Sequence, residues 1–295
     1  MGVSQGMEEE FVHKILRNLT LVGMIFLASM LSGCTIPKLT LNSEDLYSLP
    51  TLPAKYTELN TQLNEILESG AEYAAPTSGA NIQSVQLVDL DGDGREEAVA
   101  FFRNAAEEKP LKIYIFTATE DSYQKTELIE GSGTGIYSIA YTDLDGDGRM
   151  ELLVGWKATT ELQVLEVYAL RPGGAALLVR RDYVKYTAMD LMAELNQQGR
   201  VTQGKLQEEV PALFVTGVTD ASRAVTDILS VRNGELTNVV LSDLTGVSGE
   251  IAPFCSLYPS DINNDGLTEV PSPIQVSSMM ETGAAYQRVD WYAYN

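Results

Sequence analysis

Ser84-Val85-Gln86-Leu87-Val88-Asp89-Leu90-Asp91-Gly92-Asp93-Gly94-Arg95-Glu96-Glu97-Ala98-Val99-Ala100-Phe101-Phe102 is an apolar run, an acidic glycine-rich loop and a second apolar run in unbroken succession. The pattern comes back twice. Ser138 to Thr142 leads into Asp143-Leu144-Asp145-Gly146-Asp147-Gly148-Arg149-Met150-Glu151, and Leu257 to Ser260 leads into Asp261-Ile262-Asn263-Asn264-Asp265-Gly266-Leu267-Thr268-Glu269. In all three loops, positions 1, 3, 5 and 9 carry oxygen-bearing side chains and position 6 is glycine. Asp89 and Asp143 lie 54 residues apart, and Asp143 and Asp261 lie 118 apart. The second spacing is about two of the first, so a unit lacking its loop is expected between them.

Short runs of β-branched and aromatic residues bounded by Gly and Asp read as strands. We expect four strands in each unit. In the first they are Ser84–Val88, Glu97–Phe102, Lys112–Thr117 and Tyr123–Ile129. In the second they are Tyr137–Thr142, Glu151–Trp156, Gln163–Leu170 and Ala176–Tyr183. The third has Lys185–Met189, Ala212–Thr216, Thr226–Val231 and Glu235–Leu241, with Asp190 to Glu209, partly helical, in place of the acidic loop. The fourth has Phe254–Tyr258, Thr268–Val276 and Arg288–Tyr294. It is one strand short, which we take as truncation of a longer chain. The alternative is that the N-terminal region completes the last sheet. A lone four-stranded sheet leaves a face bare, and stacking several around an axis covers it. The expected fold is therefore all-β, with about four β-propeller-like blades over residues 84–295. Residues 54–83 precede it as a helix and a loop. In the helix, residues 54–69, Tyr56, Leu59, Leu63, Ile66 and Leu67 share one face, Pro53 precedes and Gly70 follows.

The loops have the chemistry of a calcium site. Calcium takes six to eight oxygens at about 2.3–2.6 Å. The candidate ligands are Asp89, Asp91, Asp93, Glu97 and the carbonyl of Arg95; Asp143, Asp145, Asp147, Glu151 and the carbonyl of Arg149; and Asp261, Asn263, Asp265, Glu269 and the carbonyl of Leu267. The position-6 glycine permits the turn that aims the position-7 carbonyl inward. Carboxylates held this close repel one another unless a cation sits among them. An EF-hand begins alike but needs a glutamate at position 12 and flanking helices. Position 12 here is Ala100, Val154 or Ser272, and the flanks are strands. The loop between two strands resembles the FG-GAP/VCBS repeat family, the calcium blades of integrin-like propellers. The resemblance covers roughly residues 84–295 and implies a calcium-binding propeller. The Phe-Gly and Gly-Ala-Pro signatures of that family are not evident.

The N-terminal segment has a different character. Lys14 and Arg17 precede an apolar stretch, Leu19 to Leu31, and then Leu31-Ser32-Gly33-Cys34. A basic flank, a short apolar run and small residues before a boundary form a secretory signal, too short to span a bilayer comfortably. The tetrapeptide resembles the lipobox of bacterial lipoproteins. That resemblance implies removal of residues 1–33 as a signal peptide and acylation of Cys34 by palmitate-type chains. It also implies a cell-membrane address, lipid-anchored on the extracytoplasmic face. Residues 34–53, punctuated by Pro37, Pro50 and Pro53, then form a tether. Removing 1–33 takes away His13, the only histidine. A Ser-His-Asp or Cys-His triad and a His-ligated zinc site are then excluded. Cys255, in an apolar run, is expected to be a buried thiol.

The formal net charge of −21 argues against nucleic acid and against electrostatic docking on anionic lipid heads. We expect a non-catalytic, calcium-stiffened binding or adhesion module on the cell surface. Its ligand would be a polysaccharide, a cell-wall component or another protein. Trp156, Tyr168, Trp291, Tyr292 and Tyr294 are candidates to stack on sugars, the alternative being packing between blades. Two other readings remain: a carboxylate-dependent carbohydrate-active enzyme, and a structural subunit of an envelope complex.

Overall fold

The computed structural model describes residues 54–171, 173–191, 210–219, 223–253, 257–263, 268–277 and 285–294. The expected signal, Cys34 and the tether lie outside these residues, as do 192–209 of the replaced loop, Cys255, Asp265 and Leu267. The first element is α1 (Ala54–Glu68), ended by Gly70 in the left-handed region at φ +94°. It buries Leu59 and Leu63, with Tyr56, Ile66 and Leu67 half-buried beside them, as the spacing predicts.

Antiparallel strands make up most of the rest. The first sheet holds β1 (Glu72–Tyr73), β2 (Val85–Val88), β3 (Glu97–Arg103), β4 (Leu111–Ala118) and β5 (Tyr123–Gly131). The second is β6 (Gly135–Thr142), β7 (Glu151–Lys157), β8 (Gln163–Arg171) and β9 (Gly174–Tyr183). The third is β10 (Lys185–Asp190), β11 (Pro211–Val218), β12 (Ala224–Arg232) and β13 (Glu235–Asn238). The fourth pairs β14 (Glu269–Ser277) with β15 (Ala285–Ala293). Within the first three sheets the expected strands pair in chain order, so each unit is a meander.

Alternation along β3 shows how the sheets pack. Ala98, Ala100 and Phe102 face α1, where they join Leu59, Leu63 and Phe116. Val99 and Phe101 face the other way and join Ile136, Leu152, Val154 and Trp156 of the second sheet. Leu153, Leu165 and Val167 of the second sheet meet Leu213, Val215 and Leu229 of the third. Phe214 and Ile228 of the third meet Val270 and Tyr292 of the fourth. Helix and sheets thus stack in chain order. The central strands are buried on both faces, which is why Ala98–Phe102 and Leu152–Trp156 read as unbroken apolar runs.

Three expectations fail locally. Residues 71–80, read as loop, contain β1, which takes the stretch of β3 edge that β2 leaves open: Tyr73 pairs with Phe102 and stacks on it at 4.8 Å. The strand expected at Glu235–Leu241 stops at Asn238. The Val240 N–H then donates to Asn238 Oδ1 at 3.1 Å and starts a helical turn, α2 (Val240–Asp243), that buries Val240. The strand expected at Phe254–Tyr258 reduces, in its described part, to the single bridge Ser260↔Glu269 beyond it. Prolines explain this. Glu269 bonds Ser260 through its N–H and C=O, so residues of the same parity in β14 face that edge. Those residues are Pro271 and Pro273, which have no N–H to give.

Candidate metal centre

The first two acidic loops connect β2 to β3 and β6 to β7. Each springs from a closing pair, Val88↔Glu97 or Thr142↔Glu151, between the residue before position 1 and the glutamate at position 9. The Ser260↔Glu269 bridge is the same pair in the third loop. In the third unit Asp190↔Pro211 closes the hairpin instead, so no glutamate stands there.

Inside the loops the carboxylates organise the backbone. Asp89 Oδ1 accepts the Gly92 N–H at 2.8 Å and its Oδ2 accepts the Gly94 N–H at 2.9 Å. Asp143 does the same for Gly146 and Gly148 at 2.7 and 2.9 Å. The glycines at both positions 4 and 6 have positive φ, +74° and +84° in the first loop, +75° and +85° in the second. The position-6 requirement was legible, and the position-4 one was not singled out.

The position-9 glutamates lie under the loops. Glu97 and Glu151 are each 3% exposed and Glu269 4%. Each accepts the backbone N–H of position 2 on Oε2: Leu90 at 2.9 Å, Leu144 at 2.7 Å and Ile262 at 2.9 Å. Oxygens of Asp89, Asp91 and Glu97 come within 4.8 Å of one another, and so do those of Asp143, Asp145 and Glu151. Two oxygens on opposite sides of one calcium ion stand up to about 5 Å apart, so both triads fit such an ion. These two triads are groups that could hold a metal ion. Burial pushes the Glu97 carboxyl above its ordinary value and the Glu151 carboxyl up to about 7. Asp145 is raised for the same reason. Carboxylates crowded around a buried glutamate in this way are eased by a cation among them.

The expected ligands do not all converge. Asp93 accepts the Arg95 N–H at 2.8 Å on Oδ1, and its Oδ2 accepts Arg95 Nε at 2.9 Å and Nη2 more closely. That guanidinium holds the Asp93 carboxyl below its ordinary value. Asp147 accepts the Arg149 N–H at 2.8 Å, and neither position-5 aspartate belongs to a triad. In the third loop Asn263 Nδ2 donates to Glu269 Oε1 at 3.0 Å.

Two features went unread in the sequence. A cleft of about 550 Å³ opens beside the first loop, with Asp91, Glu97 and Glu127 from the first sheet and Arg149 and Arg171 from the second. Glu166 of β8, buried, accepts from Trp156 Nε1 at 2.6 Å, Tyr168 OH at 2.5 Å and Arg180 Nη1 at 2.7 Å. A lone charge inside an apolar strand was its only signal. Trp156 and Tyr168 are consequently core residues between the first two sheets, and Tyr292 and Tyr294 pack against the core of the third and fourth.

The chain matches no family model and no curated protein.

Proposed function

We propose that this chain is an extracytoplasmic lipoprotein, anchored through Cys34, whose stacked sheets are calcium-stiffened propeller blades of the FG-GAP/VCBS kind. Its role is non-catalytic: a binding or adhesion module. The observation that carries the reading is recurrence. Two loops from separate sheets bring positions 1, 3 and 9 together, and three loops repeat the bond from the position-2 amide to the buried position-9 glutamate. Oxygen-only donors in an acidic chain favour a hard cation, and calcium tolerates irregular geometry better than magnesium does. Extracellular calcium is abundant enough to fill weak sites.

The cleft beside the first loop is the seat this reading gives to a polysaccharide, cell-wall or protein ligand. The enzyme alternative needs a carboxyl kept free to act as an acid. The best-buried glutamate outside the loops, Glu166, is instead committed to three donors, one of them a guanidinium.

The test is thermal unfolding of the full chain in detergent, in EDTA and in millimolar calcium or magnesium. A site filled at a hundred times its dissociation constant stabilises by about 2.7 kcal/mol. At about 2–4 °C per kcal/mol, two filled sites raise the midpoint by roughly 10–20 °C. Calcium is expected to give that rise and magnesium little of it. An unmoved midpoint refutes the metal assignment. Replacing Cys34 by Ser is expected to abolish acyl-chain incorporation and release the protein from membranes.

A further inference from the structure

The first two loops touch. The Met150 N–H, at position 8 of the second loop, donates to the carbonyl of Leu90, at position 2 of the first, at 2.9 Å. A Cβ placed on Gly92 would meet the carbonyl oxygen of Gly148 at 2.5 Å, so the first loop lies directly against the second. The backbone of Leu90 therefore has two duties. Its N–H holds the carboxylate of Glu97, and its C=O holds the residue preceding Glu151. Glu151 Oε2 in turn accepts the Leu144 N–H, while its Oε1 has no hydrogen-bond partner among the described residues. Two hydrogen bonds thus lead from the deepest carboxylate of the first triad to Met150, the backbone neighbour of the deepest carboxylate of the second. No comparable bond leaves the carbonyl of Leu144 among the described residues, and the third sheet has no acidic loop to receive one.

We propose that these two loops form a single two-cation centre that fills cooperatively. The inference rests on the cation reading above. A cation drawn onto Asp89, Asp91 and Glu97 fixes Leu90, which stands between the two aspartates, and aims its carbonyl at Met150. That orders the end of the second loop where Glu151 stands. The same path works in reverse, since coupling between two sites is reciprocal.

Calcium titration calorimetry on the full chain in detergent tests this, with the third loop silenced by Asp261→Asn and Asp265→Asn throughout. Emptying the second loop by Asp143→Asn and Asp145→Asn is expected to lower calcium affinity at the first by about fivefold or more. Emptying the first by Asp89→Asn and Asp91→Asn is expected to lower it at the second by the same factor. A contact control follows in the chain whose first loop is emptied. Gly92→Ala and Gly94→Ala both strain a positive φ, at +74° and +84°, but only the first puts a methyl against the second loop. Gly92→Ala is expected to shift the second loop's affinity, and Gly94→Ala to leave it unchanged. Unaltered affinity of each loop when the other is emptied overturns the coupling and leaves the cation reading standing. Absence of binding heat while the first two loops are both intact refutes the cation reading for them, and the coupling with it. Circular dichroism confirms that each variant keeps its strands.

Discussion

The residue at position 2 of each acidic loop offers a test that needs no ligand. Leu90, Leu144 and Ile262 occupy the same place in the same motif, yet Leu90 is 3% exposed, Leu144 2% and Ile262 50%. Leu90 packs among Val99, Ile139 and Val154 between the first and second sheets, and Leu144 among Leu153, Leu213 and Leu229 between the second and third. Truncating a leucine so enclosed loses its transfer free energy and leaves a cavity, together costing about 3–5 kcal/mol. At about 2–4 °C per kcal/mol, Leu90→Ala and Leu144→Ala each lower the midpoint by roughly 6–20 °C. Ile262→Ala removes methylenes that are half in water already, and falls within about 1 kcal/mol. The assay is thermal unfolding in EDTA, followed by circular dichroism, so that no cation contributes. A loss at Ile262 as large as those at Leu90 and Leu144 would refute the claim that the next sheet, not the loop, fixes this side chain.

Other outcomes follow from the same contacts. Glu166→Ala leaves the buried Trp156 N–H and Tyr168 hydroxyl without their acceptor, while the exposed Arg180 turns to water, and should cost about 2–5 kcal/mol in urea unfolding; a loss below about 1 kcal/mol contradicts the network. Gly131→Ala would bring a methyl within 2.5 Å of the Trp156 ring and should cost about 1–3 kcal/mol by overpacking, seen also as a shift in tryptophan emission. Burial raises the Asp227 carboxyl above its unfolded value of 3.8, although Arg181 and the amide of Asn238 pull it down. The folded state therefore holds this proton more tightly than the unfolded one, and the group's contribution declines as pH rises above 3.8. The stability of Asp227→Asn relative to the unaltered chain should accordingly be greater at pH 7 than at pH 3.5, and a difference that falls on the same rise in pH would contradict the sign.

Much of the fold could be read from apolar runs and the loops between them, because strands buried on both faces need continuous hydrophobicity. The boundaries of β2, β7 and β8 fall within a residue of those expected. Elements set by a neighbour rather than by their own sequence were less legible. Glu72 and Tyr73 are a strand only because β3 outruns β2, and Asn238 ends β13 because its side chain captures an amide two residues on. In the candidate site, the residue types at positions 1, 3 and 9 identified the triads. Position 5 did not follow, because Arg95 two residues away competes for Asp93. The contact between the first two loops depends on how the two sheets are stacked, which the pattern of either loop alone does not contain.

Helix α1 gives the stack a direction. It covers the face of the first sheet that carries Ala98, Ala100 and Phe102, a place that a further sheet would otherwise take. A finished end of this kind means that repeats can be gained or lost by duplication only on the far side, so the unit beside α1 is the fixed member of the series. It also keeps an aromatic surface out of reach of other molecules. Replacing Leu59 and Leu63 by Ser should reopen that surface and make the protein self-associate through its first sheet, visible as a concentration-dependent rise in light scattering; chains that stay monomeric would mean that the helix is ornament to the sheet rather than its lid.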